Sequence, residues 1–352
     1  MFFLNRRVIA ALAGFAVLIP LLFFVYWKQL LQQPLPLSEP MVYDVKSGSG
    51  ANHVMAEFHA EGILPETWPL KIWLKINPEK GQLKAGEYRI PAGISAYELM
   101  GLLTSGKTVQ YQVTLPEGLN FSEALQLLQQ QEKLTVRTRD MSTTDIMQWV
   151  SGKPASDVEH HEGRFFPDTY QYHKGMTDLQ ILKLAYEKMG RVLNEEWQKA
   201  DHAALPYNNA YEALIMASIV EKETGVPEER SRIAGVFVQR LEKRMRLQTD
   251  PTVIYGLGER YQGNITRSHL KEKTAYNTYR INGLPPTPIA LPGRDAIHAA
   301  LNPLKEGDLY FVARGDGSHK FSKTLQEHNK AVRYYQIYKR KQNYQSSPET
   351  QQ

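Results

Sequence analysis

The sequence predicts an α+β protein carried on one N-terminal transmembrane helix, with a small α/β module followed by a larger mixed α+β region that holds the chemistry. Three observations predict this. Residues 8–27 form an uncharged run of twenty, preceded by Arg6 and Arg7. A pattern of strand, Pro-x-Gly turn, helix cap and amphipathic helix recurs with a period of 25 residues, at 91–103 and again at 116–128. Residues 211–225 (YEALIMASIVEKETG) are mostly apolar until Glu221 and Glu223 appear at the end.

The uncharged run is long enough, at about 1.5 Å per residue, to span a hydrocarbon core of roughly 30 Å. The two arginines place the short N-terminus in the cytoplasm and the rest of the chain outside. Tyr26 and Trp27 suit the far interface. A cleaved signal peptide is the rival reading, but the run exceeds a usual h-region and residues 25–28 offer no small-x-small cleavage site. An uncleaved anchor over 1–30 is therefore expected. Residues 31–40 (LQQPLPLSEP) read as a stiff linker.

From residue 41 the pattern changes. Residues 41–45 alternate like a strand, 51–60 read as a helix, 71–76 as an apolar segment and 87–90 as a strand. These belong to a module over 41–112. In the echo, Ser95 with Glu98 and Asn120 with Glu123 are cap-plus-N3 pairs. Two copies are too few for a solenoid. Residues 113–205 read as mostly helical, interrupted by the aromatic stretch 163–170 (GRFFPDTY). The region 206–342 carries the two glutamates. Within it, 228–245 reads as an amphipathic helix with Arg240 on its apolar face, and 308–313 as a strand. A turn at 315–317, a return strand over 321–324 and a basic helix over 327–341 follow. Residues 343–352 read as a disordered tail.

The chain has 352 residues, no cysteine and a formal net charge of +5. Disulfides, thiolate metal sites and a lipid-modified N-terminal cysteine are excluded. The positive charge suits an anionic lipid or a carboxylate-bearing wall polymer, or is a scattered lysine excess; outside the cytoplasm it does not point to nucleic acid. His160 and His161 are adjacent and expected to diverge, and His319 and His328 lack metal-like spacing. No metal or cofactor is expected, and no phosphate-binding or nucleophile-elbow motif occurs.

Leu214, Ala217, Ser218 and Glu221 share one helix face at i, i+3, i+4 and i+7, so Glu221 extends an apolar stripe. Gly225 and Pro227 should stop the helix near Thr224. Burial, the negative helix end and the nearby Glu223 would all raise the pKa of Glu221. A carboxyl kept protonated near neutral pH is what a general acid needs to protonate a glycosidic oxygen. The competing reading is a buried glutamate paired with Arg232, Arg240, Arg244 or Arg246. Glu223 lies roughly 200° around the helix from Glu221, so one acid acting alone is the simpler picture.

Downstream, residues 246–256 read RLQTDPTVIYG, in which Pro251 should hold Asp250 extended. Gln248, Thr249, Asp250 and Thr252 would then form a polar edge suited to sugar hydroxyls, or an ordinary solvated turn. Tyr276 and Tyr279 in TAYNTY are candidates to stack on sugar faces, or to fill the core. The prolines of GLPPTPI (283–289) would make a stiff wall or loop.

Taken in order, EGRFFPDTY, ASIVEKET, RLQTDPTVIYG, AYNTY, GLPP, and YFVA followed by H-x-F-S-x-T-x-x-E-H-N resemble the endolytic murein transglycosylases, the MltG or YceG-like family. The resemblance covers nearly the whole chain. Residues 41–112 resemble a LysM-like module, a type that binds GlcNAc-containing glycans; a structural spacer is the alternative. One departure is Thr287, where relatives often carry Gly.

The resemblance implies non-hydrolytic cleavage between MurNAc and GlcNAc within peptidoglycan strands, leaving 1,6-anhydro-MurNAc ends and terminating glycan polymerisation. It implies an inner-membrane, periplasm-facing enzyme with peptidoglycan synthases as partners. The family's catalytic glutamate is carried onto Glu221, the first acid of EKET, with Glu223, Gln248, Asp250, Tyr255, Asn277 and Tyr279 as groove residues. The roles of His319 and His328 stay open between groove and structure. Two other functions compete: a hydrolytic muramidase, for which Glu223 or Asp250 would be the second carboxylate, and a non-enzymatic wall-binding scaffold.

Overall fold

The computed structural model describes residues 6–338. The chain divides into two compact units, one of residues up to 111 together with 172–175, the other of residues 112–171 together with 176 onward.

In the first unit, helix α1 (Arg6–Gln32) runs through Pro20. Among the described residues it is the one helix long and apolar enough to cross a membrane, consistent with a single-pass anchor. Strands β1 (Met41–Val45) and β2 (Gly86–Ile90) pair antiparallel, Met41 opposite Ile90 and Val45 opposite Gly86. Between them lie α2 (Ala51–Ala60) and α3 (Trp68–Ile76), and α4 (Ala96–Ser105) follows β2. Val54, Met55, Phe58, Leu70, Tyr88, Leu99 and Leu103 form the core.

Residues 31–40 do not form a free spacer. Helix α1 continues to Gln32, and Trp27, Leu31 and Leu35 are buried in the module's core. Trp27 and Leu31, at i and i+4, share one face of the helix past the uncharged run, and Leu35 follows beyond the helix end. Trp27 donates its ring N–H to the Pro69 carbonyl at 2.9 Å instead of reaching for interfacial water. The Leu35 N–H donates to the Ile94 carbonyl at 2.9 Å, so the proline-rich stretch is tied down beyond the helix end.

The 25-residue echo is real as local structure. Gly93 and Gly118 adopt φ of 69° and 79°, the left-handed turn conformation that favours glycine. The Glu98 N–H donates to Ser95 Oγ at 3.3 Å and the Glu123 N–H to Asn120 Oδ1 at 2.9 Å. Both boxes are closed by the glutamate accepting from the cap N–H. The second copy comprises β3 (Tyr111–Thr114) and α5 (Phe121–Gln129), so the echo crosses the division between the units and marks no domain.

In the second unit, α6 (Thr143–Ser151) precedes β4 (Thr169–Tyr172), which pairs with β3. Then come α7 (Asp178–Lys199), α8 (Ala210–Glu223) and α9 (Arg230–Glu242), followed by α10 (Asp250–Leu257), the short α11 (Arg267–Lys271) and α12 (Arg294–Leu301). The hairpin of β5 (Tyr310–Ala313) and β6 (His319–Ser322) and helix α13 (Leu325–Val332) complete it. Residues 213–220 of α8 are all buried. Helices α9 and α12 pack on α8. A Cβ at Gly235 would lie 2.0 Å from the Leu304 carbonyl oxygen, so only glycine admits that close approach.

Several boundaries differ from expectation. The helix expected over 228–245 begins after a tight turn at Pro227–Glu229. The return strand starts at His319. Asp250 opens helix α10, and it is Thr249, at φ −113° and ψ 127°, that is extended. Proline is compatible with a helix's first turn, where its missing N–H has no partner to lose. The tail expected over 343–352 lies outside the described residues.

Replacing Leu31 by Ala should destabilise the first unit by about 2–4 kcal/mol, because it empties a packed site. Urea unfolding of the detergent-solubilised chain checks this. A free spacer would show no change.

Candidate active site

Helix α8 leaves its helical path at Thr224, whose φ of −146° and ψ of 137° are extended. Its last turn places Glu221 and Glu223 in different surroundings, as their angular separation requires.

The Glu221 side chain is only 6% exposed. Its Oε2 accepts from the Gly293 N–H at 2.9 Å, at the start of α12. Arg230, not one of the four arginines considered from sequence, approaches its Oε1 at 3.8 Å. Burial raises its pKa to about 7, the Glu117 charge adds to this, and Gly293 and Arg230 pull it down. The carboxylates that chiefly raise it are Glu117 and Asp295, where Glu223 was expected. A Cβ at Gly293 would lie 1.8 Å from Glu117 Oε1, so any side chain there would displace the Glu117 carboxylate from beside Glu221.

Glu223 faces a cleft of about 870 Å³. Its carboxylate accepts from the Thr249 hydroxyl. Burial raises its pKa to about 7; Thr249 pulls it down, Asp250 raises it, and the Arg240 charge lowers it. Gln248, Asp250, Tyr279, His319 and His328 line the same cleft, and Glu221 is not among the lining residues. The Tyr279 hydroxyl donates to Asp250 Oδ1 at 2.7 Å.

The loop before α10 is rigidly held. Thr249, Thr252 and Thr278 are all buried. The Thr249 N–H donates to Thr278 Oγ1 at 3.0 Å, and the Thr252 hydroxyl to the Thr249 carbonyl at 2.8 Å. Gln248 has φ of 52°, a left-handed conformation that costs a non-glycine residue about 1–3 kcal/mol. Arg240 donates to the Leu309 and Leu247 carbonyls, each at 2.7 Å, tying this loop to β5. Thr252 is thus internal and not part of a polar edge.

Two expected groove residues are structural. Asn277 is buried and donates to the His269, Leu270 and Glu272 carbonyls at 3.1, 3.3 and 2.7 Å. Tyr255 donates its hydroxyl to Glu162 Oε2 at 3.0 Å and packs edge-on against Tyr276. The GLPP stretch lines a different cleft, with Pro206 and Tyr211. Thr287 donates its hydroxyl to the Pro288 carbonyl at 2.8 Å and pairs with the Tyr276 hydroxyl. His160 and His161, expected to diverge, stack with ring centroids 4.2 Å apart.

The histidines left open both line the main cleft. His319 meets Glu229 at 2.7 Å through Nδ1 and 2.9 Å through its backbone N–H. His328 stacks on Tyr310, its Nδ1 buried without a partner.

Sequence reasoning missed Glu162, which is buried and accepts from the Phe121 N–H at 3.0 Å as well as from Tyr255. Burial pushes its pKa up to about 7. It also missed Glu117, Arg230 and Glu229. The acid inside EGRFFPDTY was the only available signal, because the partners are far apart in sequence.

Chemically, the cleft offers one carboxyl that can hold a proton near neutral pH, beside amide, phenol and imidazole groups suited to a hydroxyl-rich ligand. The chain belongs to the YceG-like family, whose model matches residues 43–334. It is 30% identical to the endolytic murein transglycosylase of Bacillus subtilis over 328 residues, 89% of each chain. It is also 30% identical to the endolytic murein transglycosylase of Streptococcus pneumoniae over 283 residues, spanning 71% of this chain and 50% of that one. A crystal structure of a YceG-like protein from Listeria monocytogenes superposes with a TM-score of 0.52 at 30% identity, covering 83% of this chain and 99% of that one.

Glu162, Glu221 and Glu223 each have a pKa raised from 4.5 to about 7 in the folded chain. The folded state therefore holds more protons than the unfolded one across that window, and their contribution to stability falls as pH rises through it. Each Glu→Gln variant should flatten that fall, by about 1.4 kcal/mol for every tenfold gain in proton affinity that the substitution abolishes. Denaturant unfolding near about pH 5 and about pH 8 measures it; an unchanged slope in all three would mean that none holds a proton in the folded chain.

Proposed function

We propose that this chain is an endolytic peptidoglycan lytic transglycosylase, and that Glu223, not Glu221, is its acid. The observation that carries the reading is a carboxyl with a pKa near 7 lining a polar cleft of about 870 Å³. Glu221 has the same raised pKa, but its carboxyl is taken up by the Gly293 N–H and faces Arg230. The second acid of EKET thus fits the role better than the first. The names of the relatives support the substrate and the reaction class.

Protonated Glu223 gives its proton to the oxygen of the departing GlcNAc as the MurNAc C1–O bond breaks. The resulting carboxylate takes the proton of the MurNAc C6 hydroxyl as O6 bonds to C1. One group acts as acid and then as base, no water is consumed, and the product ends in a 1,6-anhydro ring. Thr249 orients the carboxyl, and Gln248, Asp250, Tyr279, His319 and His328 are the groove groups for sugar hydroxyls. Asp250 is engaged by Tyr279, which argues against its activating water in a muramidase.

The anchor reading, with a cytoplasmic N-terminus and the second unit in the periplasm, belongs to the same proposal. So do a LysM-like role in glycan binding for residues 41–112, synthase partners in the inner membrane, and termination of strand polymerisation.

Digestion of purified peptidoglycan followed by mass spectrometry tests this. Anhydro-MurNAc ends are expected, with Glu223→Gln slowing their release by about 10²–10⁴-fold and Glu221→Gln retaining most of it. The reverse outcome returns the role to Glu221, reducing ends indicate a hydrolase, and binding without cleavage indicates a scaffold. Activity should fall as pH rises through about 7, the raised pKa of Glu223. Asp250→Asn removes a repulsive charge and should move that fall to lower pH. A displaced profile produced by Glu117→Gln instead would identify Glu221 as the acid.

A further inference from the structure

One face of α3 carries Trp68, Lys71, Ile72, Lys75 and Ile76, at i, i+3, i+4, i+7 and i+8, with no acidic residue among them. On the other side Pro69 and Leu70 are buried. Trp68 and Ile72 are half-buried, one edge of each against the core of the first unit, while Lys71, Lys75 and Ile76 are exposed, Ile76 to 64%. A stripe of tryptophan, isoleucine and lysine is the composition of a helix lying at a membrane surface, but composition alone does not say what covers it.

Helix α1 does. The Trp68 ring stacks on Phe23 with centroids 5.9 Å apart, and Trp27 donates to the carbonyl of Pro69, the next residue of α3. Phe23 stands four residues inside Trp27, the last residue of the uncharged run, a distance of about 6 Å along the helix. If α1 spans the membrane, a ring stacked on Phe23 is held within the outer edge of the hydrocarbon. Ile72 is one turn beyond Trp68, again about 6 Å, so even with α3 pointing straight outward it comes no further than about the level of Trp27. Lys71 and Lys75 then lie where their ammonium groups can reach lipid phosphates while their stems stay in apolar surroundings.

We infer that α3 is an interfacial helix whose Trp68–Ile76 face occupies the outer-leaflet headgroup layer, with Lys71 and Lys75 on anionic lipid phosphates. The inference rests on the anchor reading of α1. Its consequence is that the first unit is seated on the bilayer by two elements instead of swinging on a stalk.

The chain has no cysteine, so single-cysteine variants report one position each. Phe15→Cys, Lys71→Cys and Ile72→Cys in the full chain would carry a fluorophore, in vesicles of phosphatidylethanolamine and phosphatidylglycerol. Quenching by headgroup nitroxide lipid, by acyl-chain nitroxide lipid and by aqueous iodide would be compared. Labels at 71 and 72 should be quenched more by the headgroup nitroxide than by iodide, and the label at 15 by the acyl-chain nitroxide. Lys71 is exposed, so its variant tests the face even if Ile72→Cys perturbs packing. If 15 is lipid-quenched while 71 and 72 are open to iodide, the inference fails and the anchor stands. Shielding of 71 and 72 from both quenchers would mean that protein covers the face, which also overturns the inference. If 15 itself is open to iodide, the anchor reading has failed.

Discussion

Residues 213–220 of helix α8 have no solvent face, and the helix still ends in two carboxyls. Ionising a carboxyl against that apolar packing is costly, and both Glu221 and Glu223 respond with pKa values near 7. The unit around α8 is built to accommodate this. Helix α12 brings the Gly293 N–H to one carboxyl, and the loop before α10 brings the Thr249 hydroxyl to the other. Neither supplies enough compensation to return the carboxyl to its ordinary range. Two residues of separation on a helix send them to different places: one into a cluster with Glu117, Arg230 and Asp295, the other into an open cleft.

The cleft keeps its shape because its polar backbone is satisfied from within. Buried donors and acceptors must find partners, and the threonines at 249, 252 and 278 find one another or nearby carbonyls. Arg240 commits its guanidinium to carbonyls of the 246–247 loop and of Leu309, just before β5, and so serves as a strut as well as a charge near Glu223. The left-handed Gln248 sits at the centre of this arrangement, a strained position held by its surroundings. Such preorganisation suits a site in which a single proton must be delivered to one oxygen.

At the other end of the chain, the same principle of shared burial removes an expected hinge. Trp27, Leu31 and Leu35 belong to the core of the first unit. The prolines that follow end a helix, but they do not release the chain from the module.

Much of the fold was legible in the residue order. The β1, α2 and β2 segments, the two capping boxes with their left-handed glycines, and the end of α8 at Thr224 all follow from local rules: periodicity, cap chemistry and proline placement. That a carboxyl at the end of α8 would be buried and its pKa raised was legible for the same reason. The choice between Glu221 and Glu223 was not, because both satisfy the local rule and the difference lies in partners 72 residues downstream for one, at Gly293, and 26 for the other, at Thr249. That Asn277 and Tyr255 stand outside the cleft was hidden likewise: a polar side chain in a motif looks the same whether it meets a ligand, a distant backbone carbonyl or a buried carboxylate. The sequence by itself determined the elements and the acid-bearing helix, since those depend on neighbours within a turn or two. Only the tertiary structure decided which acid faces the cleft and which polar groups are already satisfied, because hydrogen bonding and desolvation depend on what packs across space.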